Sequence, residues 1–305
     1  MRTIWLVGVA LTIAASASWA QGSRHGPALL GLPASTRALA LGGGYAAADP
    51  DADALFYNPA LLATARGAGV SYQRWGRASD LGQIAAALEL EPGGVGVGVR
   101  FLNHEVPVGP GAVVVGESEL FRRGGPPSSS LEAVVGYARP VGGVRVGVAG
   151  KYVQEQMAGG RDADVTLDLG AALRVGPVTL GLAVRNVAGD LEPVASRSVT
   201  FPRQVTLHVS HPREPVGPLD VVTTAAVSVS DGGDVVPAAG VEVSYWPVVG
   251  KTFVGRVGVR RPVDGVGPVT AGGAFIGDRF AVEYAYARFE GGAGTHRLGI
   301  RWMQR

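Results

Sequence analysis

The residues that could carry chemistry are few, and their spacing defeats most of the reactions they suggest. Of the five histidines, His208 and His211 stand three apart on a strand-patterned segment, which places them on opposite faces. The helical H-x-x-x-H spacing of a zinc site does not occur. The chain has no cysteine, so a disulfide framework, thiolate chemistry and a thiolate metal site are excluded. Gly42-Gly43-Gly44, with Asp49 nearby, has a phosphate loop's composition without the strand and βαβ unit that would make it one. No serine stands in a nucleophile elbow. Asp49-Pro50-Asp51-Ala52-Asp53 offers carboxylates for calcium but lacks the remaining ligands and the distal Glu. A solvated or helix-capping turn is the favoured reading there. No enzyme activity, cofactor or metal is expected, and a net charge of +2 argues against nucleic acid as a partner.

What remains is the scaffold. Of 305 residues, 47% are hydrophobic and 17% charged, with 47 Gly and 20 Pro. No apolar run after the N-terminus reaches the length of a spanning helix. From Gly67 onward apolar residues recur with period two, the mark of strands with two unlike faces. In residues 164–175, Val165, Leu167, Leu169, Ala171, Leu173 and Val175 alternate with Asp164, Thr166, Asp168, Gly170, Ala172 and Arg174. About fourteen such runs are predicted, near 67–75, 80–90, 93–102, 130–139, 143–155, 162–175, 177–187, 201–211, 218–230, 234–246, 251–261, 266–277, 278–289 and 294–303. Their lengths suit tilted crossings of a bilayer. The connections sort as well: every second one is a short turn rich in Gly or Pro ("EPGG", "PVGG", "VGP", "PREPVGP", "PVVG", Gly277-Asp278), whereas residues 103–130 and 186–200 fall in the other set. Outer-membrane barrels alternate short periplasmic turns with longer external loops. The predicted fold is an all-β transmembrane antiparallel barrel of about 14 strands.

In that barrel the polar face lines the lumen. Arg100, Arg145, Lys151, Asp164, Asp168, Arg174, Arg185, Glu242, Arg256, Arg260, Glu283, Arg297 and Arg301 are the candidate lumen-facing residues. Gly94, Gly96 and Gly98 share the inward side of one strand and leave backbone room beside it. Two readings follow, a lumen biased toward anions or a solvated, salt-bridged interior that merely avoids lipid.

The segment ahead of the strands has another character. Asn58 is a good N-cap and Pro59 suits the first helical position, so "NPALLATA" predicts a short helix. The apolar residues before it cannot stand alone in a water-filled lumen, and the stretch is too short for a domain. Its natural place is inside or under the barrel, where a barrel of this size otherwise leaves an opening. The candidate plug residues are Asp53, Phe56, Tyr57, Asn58, Pro59, Ala60 and Leu61, with Asn58 holding the plug to the wall. Arg2, the apolar run from Ile4 to Ala15 and Ser18-Trp19-Ala20 predict a secretory leader. The expected organisation is a signal peptide over 1–20, a plug over 21–66 and a barrel over 67–305, in the bacterial outer membrane.

Residues 33–63, "PASTRALALGGGYAAADPDADALFYNPALLA", resemble the N-terminal signature of the PorV/PorQ family of outer-membrane proteins. Asn58-Pro59-Ala60 is also similar to the hatch motif of the FadL-type fatty-acid transporters. "VRNV" before a long loop, "FPR" opening the next strand and "THRLGIRW" near the end fit too, while the final "MQR" departs from the usual terminal aromatic. The resemblance implies a fourteen-stranded barrel whose N-terminus folds into the lumen as a plug, passing small hydrophobic molecules. The alternative it implies is an accessory of type IX secretion that binds cargo signal domains, for which residues 103–130 are the docking surface. The partners implied are outer-membrane lipid, the barrel-assembly machinery during biogenesis, and hydrophobic small molecules or secretion-system proteins.

Overall fold

The computed structural model describes residues 27–105, 117–157, 160–194, 197–263 and 265–303. The leader expected over 1–20, the first residues of the plug, much of the 103–130 segment and the last two residues lie outside them. Among the described residues sixteen strands follow one another: β1 (Gly67–Trp75), β2 (Ser79–Leu90), β3 (Gly93–Glu105), β4 (Pro127–Val141), β5 (Val144–Met157), β6 (Gly160–Val175), β7 (Val178–Arg185), β8 (Asp190–Val194), β9 (Arg197–Thr200), β10 (Gln204–Val216), β11 (Leu219–Ser230), β12 (Val235–Val248), β13 (Lys251–Arg260), β14 (Val266–Ile276), β15 (Phe280–Phe289) and β16 (Gly294–Trp302). All but β8 and β9 form one closed antiparallel barrel in which β1 pairs with β16. The fourteen runs of alternating hydrophobicity are those fourteen barrel strands.

Two segments differ from expectation. "PREPVGP", with three prolines, reads as a turn, yet β10 continues through the first two of them to Val216. Its pairing with β11 shifts register between His211 and Glu214, and a bulge is where a strand tolerates proline. The 186–200 loop contains its own two-stranded hairpin, β8 with β9. Its strands are too short to show a period. Leu191 and, just beyond it, Phe201 pack with Leu30 and Val153, folding this segment over the barrel mouth.

The alternation separates two solvents. Outward residues such as Val97, Val135, Leu167, Leu207, Val257 and Leu298 are exposed, and Trp246, Phe253, Phe280 and Trp302 are exposed near the short-turn end. Apolar exposure all round a molecule far exceeds the patches of soluble proteins. It matches a lipid-facing band with an aromatic girdle. Inward residues are buried because residues 27–66 fill the barrel. Two helical turns, α1 (Ala28–Gly31) and α2 (Thr36–Ala40), are followed by two 3-10 helices, Ala52–Phe56 and Pro59–Ala63. The main apolar core lies between this hatch and the wall, with Leu55, Phe56, Leu61 and Leu62 against Ala85, Val134, Ala149 and Ala172.

Candidate functional site: the hatch and its wall

The hatch holds its shape by capping the last three of its four helices in turn. Ser35 Oγ accepts from Ala38 N at 3.3 Å, Asp51 Oδ1 from Asp53 N at 3.1 Å, and Asn58 Oδ1 from Ala60 N at 3.0 Å. The "NPALLA" turn is a 3-10 helix rather than an α-helix, capped by Asn58 with Pro59 first. Asp51 likewise makes the aspartate-rich stretch a capping turn. Tyr45 and Tyr57 stack with centroids 4.9 Å apart. The Tyr57 hydroxyl accepts from Ala34 N and Ser35 N at 3.0 and 3.2 Å, tying the first limb of the hatch, residues 27–51, to the second, residues 52–66. Burial raises the pKa of the Tyr57 hydroxyl, and burial followed by Asp51 raises that of Tyr45 well above the usual range. Both remain phenols that can donate.

The first limb is fixed to the wall by ion pairs. Arg37 of α2 donates to both oxygens of Glu242 on β12, at 2.8 and 3.0 Å. Arg256 on β13 donates to Glu242 at 2.8 Å and to Glu283 on β15 at 3.0 Å. Arg301 on β16 donates to Glu283 at 3.3 Å and closes the circuit on Asp51 of the hatch at 3.0 Å. Burial alone would lower the Arg37 pKa, but Glu242, then Asp49 and Asp51, outweigh it and hold the guanidinium above its ordinary value. Bidentate geometry and full pairing are what make such a charge tolerable away from water.

Arg297 of β16 sits under the junction of the two limbs. It donates to Pro33 O, Gln73 Oε1, Ser71 Oγ and Gln83 Oε1 at 2.7–3.1 Å. Gln83 in turn donates to Ala34 O at 2.5 Å and to Asp53 at 2.8 Å. Burial, then the neighbouring Asp51, pushes the Asp53 pKa up to about 7. On β3, three strands along the same side of the barrel, Arg100 donates to Glu132 at 3.0 Å and to Leu32 O at 2.9 Å. Lys151 pairs with Asp168 at 2.7 Å and Glu132 at 3.6 Å, and donates to Asn186 at 3.0 Å.

The second limb meets the wall without charge pairs. Asn58 Nδ2 donates to Ala171 O on β6 at 3.1 Å and to Leu182 O on β7 at 3.3 Å, and lies 3.5 Å from His208 Nε2 on β10. Arg185 donates to Phe56 O at 3.0 Å and to Gln204. Elsewhere the wall is stripped to backbone. A Cβ on Gly94 would come within 2.0 Å of Leu62 O, on Gly98 within 2.6 Å of Phe56, on Gly147 within 2.4 Å of Pro59 C and on Gly170 within 2.1 Å of Asn58 Oδ1. The glycines are a close-packed seat for Phe56 to Leu62, not spare room beside a strand.

The thirteen candidate lumen residues therefore fall into three settings. Glu242, Arg256, Glu283 and Arg301 form the clasp, with Arg37 as the hatch residue that completes it. Arg100, Lys151, Asp168, Arg185 and Arg297 meet hatch backbone or one another. Arg145, Asp164, Arg174 and Arg260 occupy the ends. Arg145 donates to Thr64 Oγ1 at 2.9 Å, Arg174 to Gly176 O at 3.3 Å, and Asp164 accepts from Asp190 N at 3.0 Å. The interior is salt-bridged, as the second of the two readings has it, but it is not open to solvent. The central charges are buried rather than solvated, and the buried guanidiniums are committed to carboxylates or carbonyls rather than turned to an anion. Arg37, Gln83 and His208 escape sequence reasoning. The signal for Arg37 was its place as the basic residue in an apolar run, and Gln83 and His208 carry none beyond inward parity.

No protein-family model and no curated protein matches the chain. Solved structures do. The Pseudomonas putida toluene transporter TodX superposes with a TM-score of 0.54 at 14% identity, over 88% of this chain and 96% of its own. The monoaromatic hydrocarbon channel CymD gives 0.56 at 12% identity, over 88% and 96%. A Pseudomonas aeruginosa FadL homologue gives 0.51 at 10%, again over 88% and 96%. At such identities the likeness is one of fold, and it spans nearly the whole of each chain: this protein is a barrel of the architecture those three proteins have.

Proposed function

We propose that the protein is a non-enzymatic outer-membrane channel for small hydrophobic molecules, held closed by its N-terminal hatch. The observation that carries this is the wall behind the second limb. Its inner face is the glycine seat of Phe56 and Leu62, and its outer face bears an apolar depression of about 880 Å³ whose lining includes Ile84, Val97, Val99, Val135 and Leu167. Withdrawal of the limb leaves β3 to β5 with little side-chain lining between an apolar chamber and the bilayer. An apolar solute gains about 25 cal/mol for each Å² it keeps from water, so a wall of this kind favours hydrocarbon over ions. The architectural likeness to a toluene transporter and a monoaromatic hydrocarbon channel supports the same class of cargo.

Uptake of labelled toluene and of a long-chain fatty acid, by cells with and without the gene, tests the proposal. Faster uptake of at least one by the gene-bearing cells is expected, and equal uptake across the panel would sink it.

The finer PorV/PorQ assignment rests on residues 33–63. That stretch is sealed inside the barrel here, with Arg37, Ala38, Leu55 and Asn58 at 2% exposure or less. A secretion accessory would have to dock cargo on the external loops instead. Affinity purification from membranes separates the readings: recovery of secretion-machine components or cargo favours the accessory, and recovery of the barrel alone counts against it.

A further inference from the structure

Three polar side chains at the outer end of the lumen lack a hydrogen-bond partner in the protein. Trp75 ends β1, Ser79 opens β2, and His104 is the penultimate residue of β3. The register sets Trp75 opposite Ser79, and Asp80 opposite Asn103, which carries Ser79 on to His104. All three are inward-facing and 3% exposed or less, yet Trp75 Nε1, Ser79 Oγ and both ring nitrogens of His104 make no hydrogen bond. Neighbours on either side are satisfied: Thr295 Oγ1 donates to Arg74 O at 2.8 Å and Ser128 Oγ to Gln156 O at 2.6 Å. Single unpaired atoms occur elsewhere in the wall, Glu155 Oε2, Ser210 Oγ and Ser244 Oγ among them, but on these three adjoining strands four of them belong to residues at matching register positions. A buried donor or acceptor left unpaired is costly, and a cluster of them calls for an explanation.

The surroundings are apolar. Leu29, Leu81, Leu102 and Leu120 pack with Trp75. Leu29 belongs to α1, which Leu30 packs against Val153, Leu191 and Phe201 and which is followed by Leu32, whose carbonyl accepts from Arg100. We propose that this row is the polar subsite for an apolar cargo bearing one uncharged hydroxyl, an alcohol or a phenol. The body of the cargo takes the place of Leu29 among the leucines. Its oxygen accepts from Trp75 Nε1 and exchanges hydrogen bonds with Ser79 and His104, a neutral imidazole having one donor and one acceptor nitrogen. A bare hydrocarbon leaves all four atoms unpaired. A carboxylate meets no lysine or arginine in this row, and faces Glu155, buried two strands from His104. This inference rests on the channel reading and names a cargo class within it.

The test is fluorescence quenching in lipid nanodiscs at pH 7, in the full chain carrying Trp5→Phe, Trp19→Phe, Trp246→Phe and Trp302→Phe, which leaves Trp75 as its one tryptophan. Three probes of one shape are compared: 4-bromophenol, uncharged at this pH, bromobenzene and 4-bromobenzoate. The phenol is expected to quench Trp75 with a midpoint about tenfold lower than either of the others, the ratio one net hydrogen bond supplies. Ser79→Ala and His104→Leu should each raise the phenol midpoint several-fold and leave that of bromobenzene in place. Unfolding temperature is read alongside, and Ser79→Ala, which deletes an unpaired hydroxyl, should not lower it. Equal midpoints for phenol and bromobenzene, or variants that bind the phenol as the parent does, overturn the subsite. Toluene uptake by cells is scored separately. Toluene or the fatty acid passing without any phenol preference overturns the subsite alone; neither of them passing overturns the channel, while quenching still decides the subsite.

Discussion

Asn58 holds its side-chain amide 3.1 Å from the carbonyl of Ala171, in the wall strand β6, while its own oxygen caps the helix that begins at Pro59. A second bond to Leu182 O, at 3.3 Å, extends the contact to β7. One residue thus fixes both the shape of the second limb and its seat.

Asn58→Ala removes the cap and both wall bonds, a local loss of roughly 2–3 kcal/mol. Asn58→Asp keeps the cap acceptor but turns an oxygen toward two carbonyls, so it should release the limb further. Single-channel recordings of the three proteins are expected to rank ion leak as Asp above Ala above parent. An alanine variant as tight as the parent would show that this contact does not hold the gate.

How much of this was legible beforehand follows from which interactions are local. Alternation in residues 164–175 is a property of one strand, so the faces, the strand number and the short-turn end could all be read from the chain. Asn58-Pro59 is a local cap signal and was read as such. The clasp was not legible, because Arg37 and Glu242 lie 205 residues apart and only barrel closure brings them together. For His208 the sequence showed only that it and His211 lie on opposite faces, since Asn58 reaches it across 150 residues. Gly94, Gly96 and Gly98 were visible as inward glycines, but empty space and a seat for Leu62 look the same in sequence.

The clasp predicts strong non-additivity. Glu242→Gln strips the charge partner from Arg37 and Arg256 together, and breaking a buried pair from one side costs about 3–5 kcal/mol. Replacing both ends, Arg37→Leu with Glu242→Leu, should cost less than the two single changes summed. The temperature at which the folded band disappears in heat-modifiable gel electrophoresis measures this. Additive losses would mean that the two groups do not act as a pair.

Locking the first limb in place tests whether it takes part in opening. A Cβ on Gly299 would lie 3.5 Å from that of Thr36, within the span of a disulfide, and the chain has no other cysteine. Oxidised Thr36→Cys/Gly299→Cys should transport as its reduced form does, because Arg37 already pins this limb. Transport restored only by reductant would assign the first limb to the gate.

Acidity should tune the second limb. The folded Asp53 carboxyl titrates at about 7, against about 3.9 for a free aspartate. Between those values the seated hatch binds a proton that the released one gives up. Its stability is therefore greatest in acid, falls as the pH rises through that window, and levels off above about 7. Hydrogen exchange of hatch amides should be faster at pH 8 than at pH 5 beyond the intrinsic rate. Asp53→Asn, which keeps an acceptor for Gln83, should abolish the difference. A pH response unchanged in that variant would move the titration to another group.

The glycine seat makes a graded prediction. A methyl on Gly96 meets the flexible tip of Leu62 at 2.7 Å, which can turn aside, whereas one on Gly147 meets the Pro59 carbonyl carbon at 2.4 Å and Ala60 N at 2.5 Å. Backbone cannot turn aside, so Gly147→Ala must lift the "NPALLA" turn off the wall. Gly82, on the outer face with nothing within 4 Å, is the control. All three alanine variants should form barrels with the parent's gel mobility, since none adds bulk between paired strands. Protease cleavage within the hatch and ion leak should rise sharply in Gly147→Ala, slightly in Gly96→Ala and not at all in Gly82→Ala. Equal behaviour of the Gly147 and Gly82 variants would show that the hatch does not rest where its glycines let it.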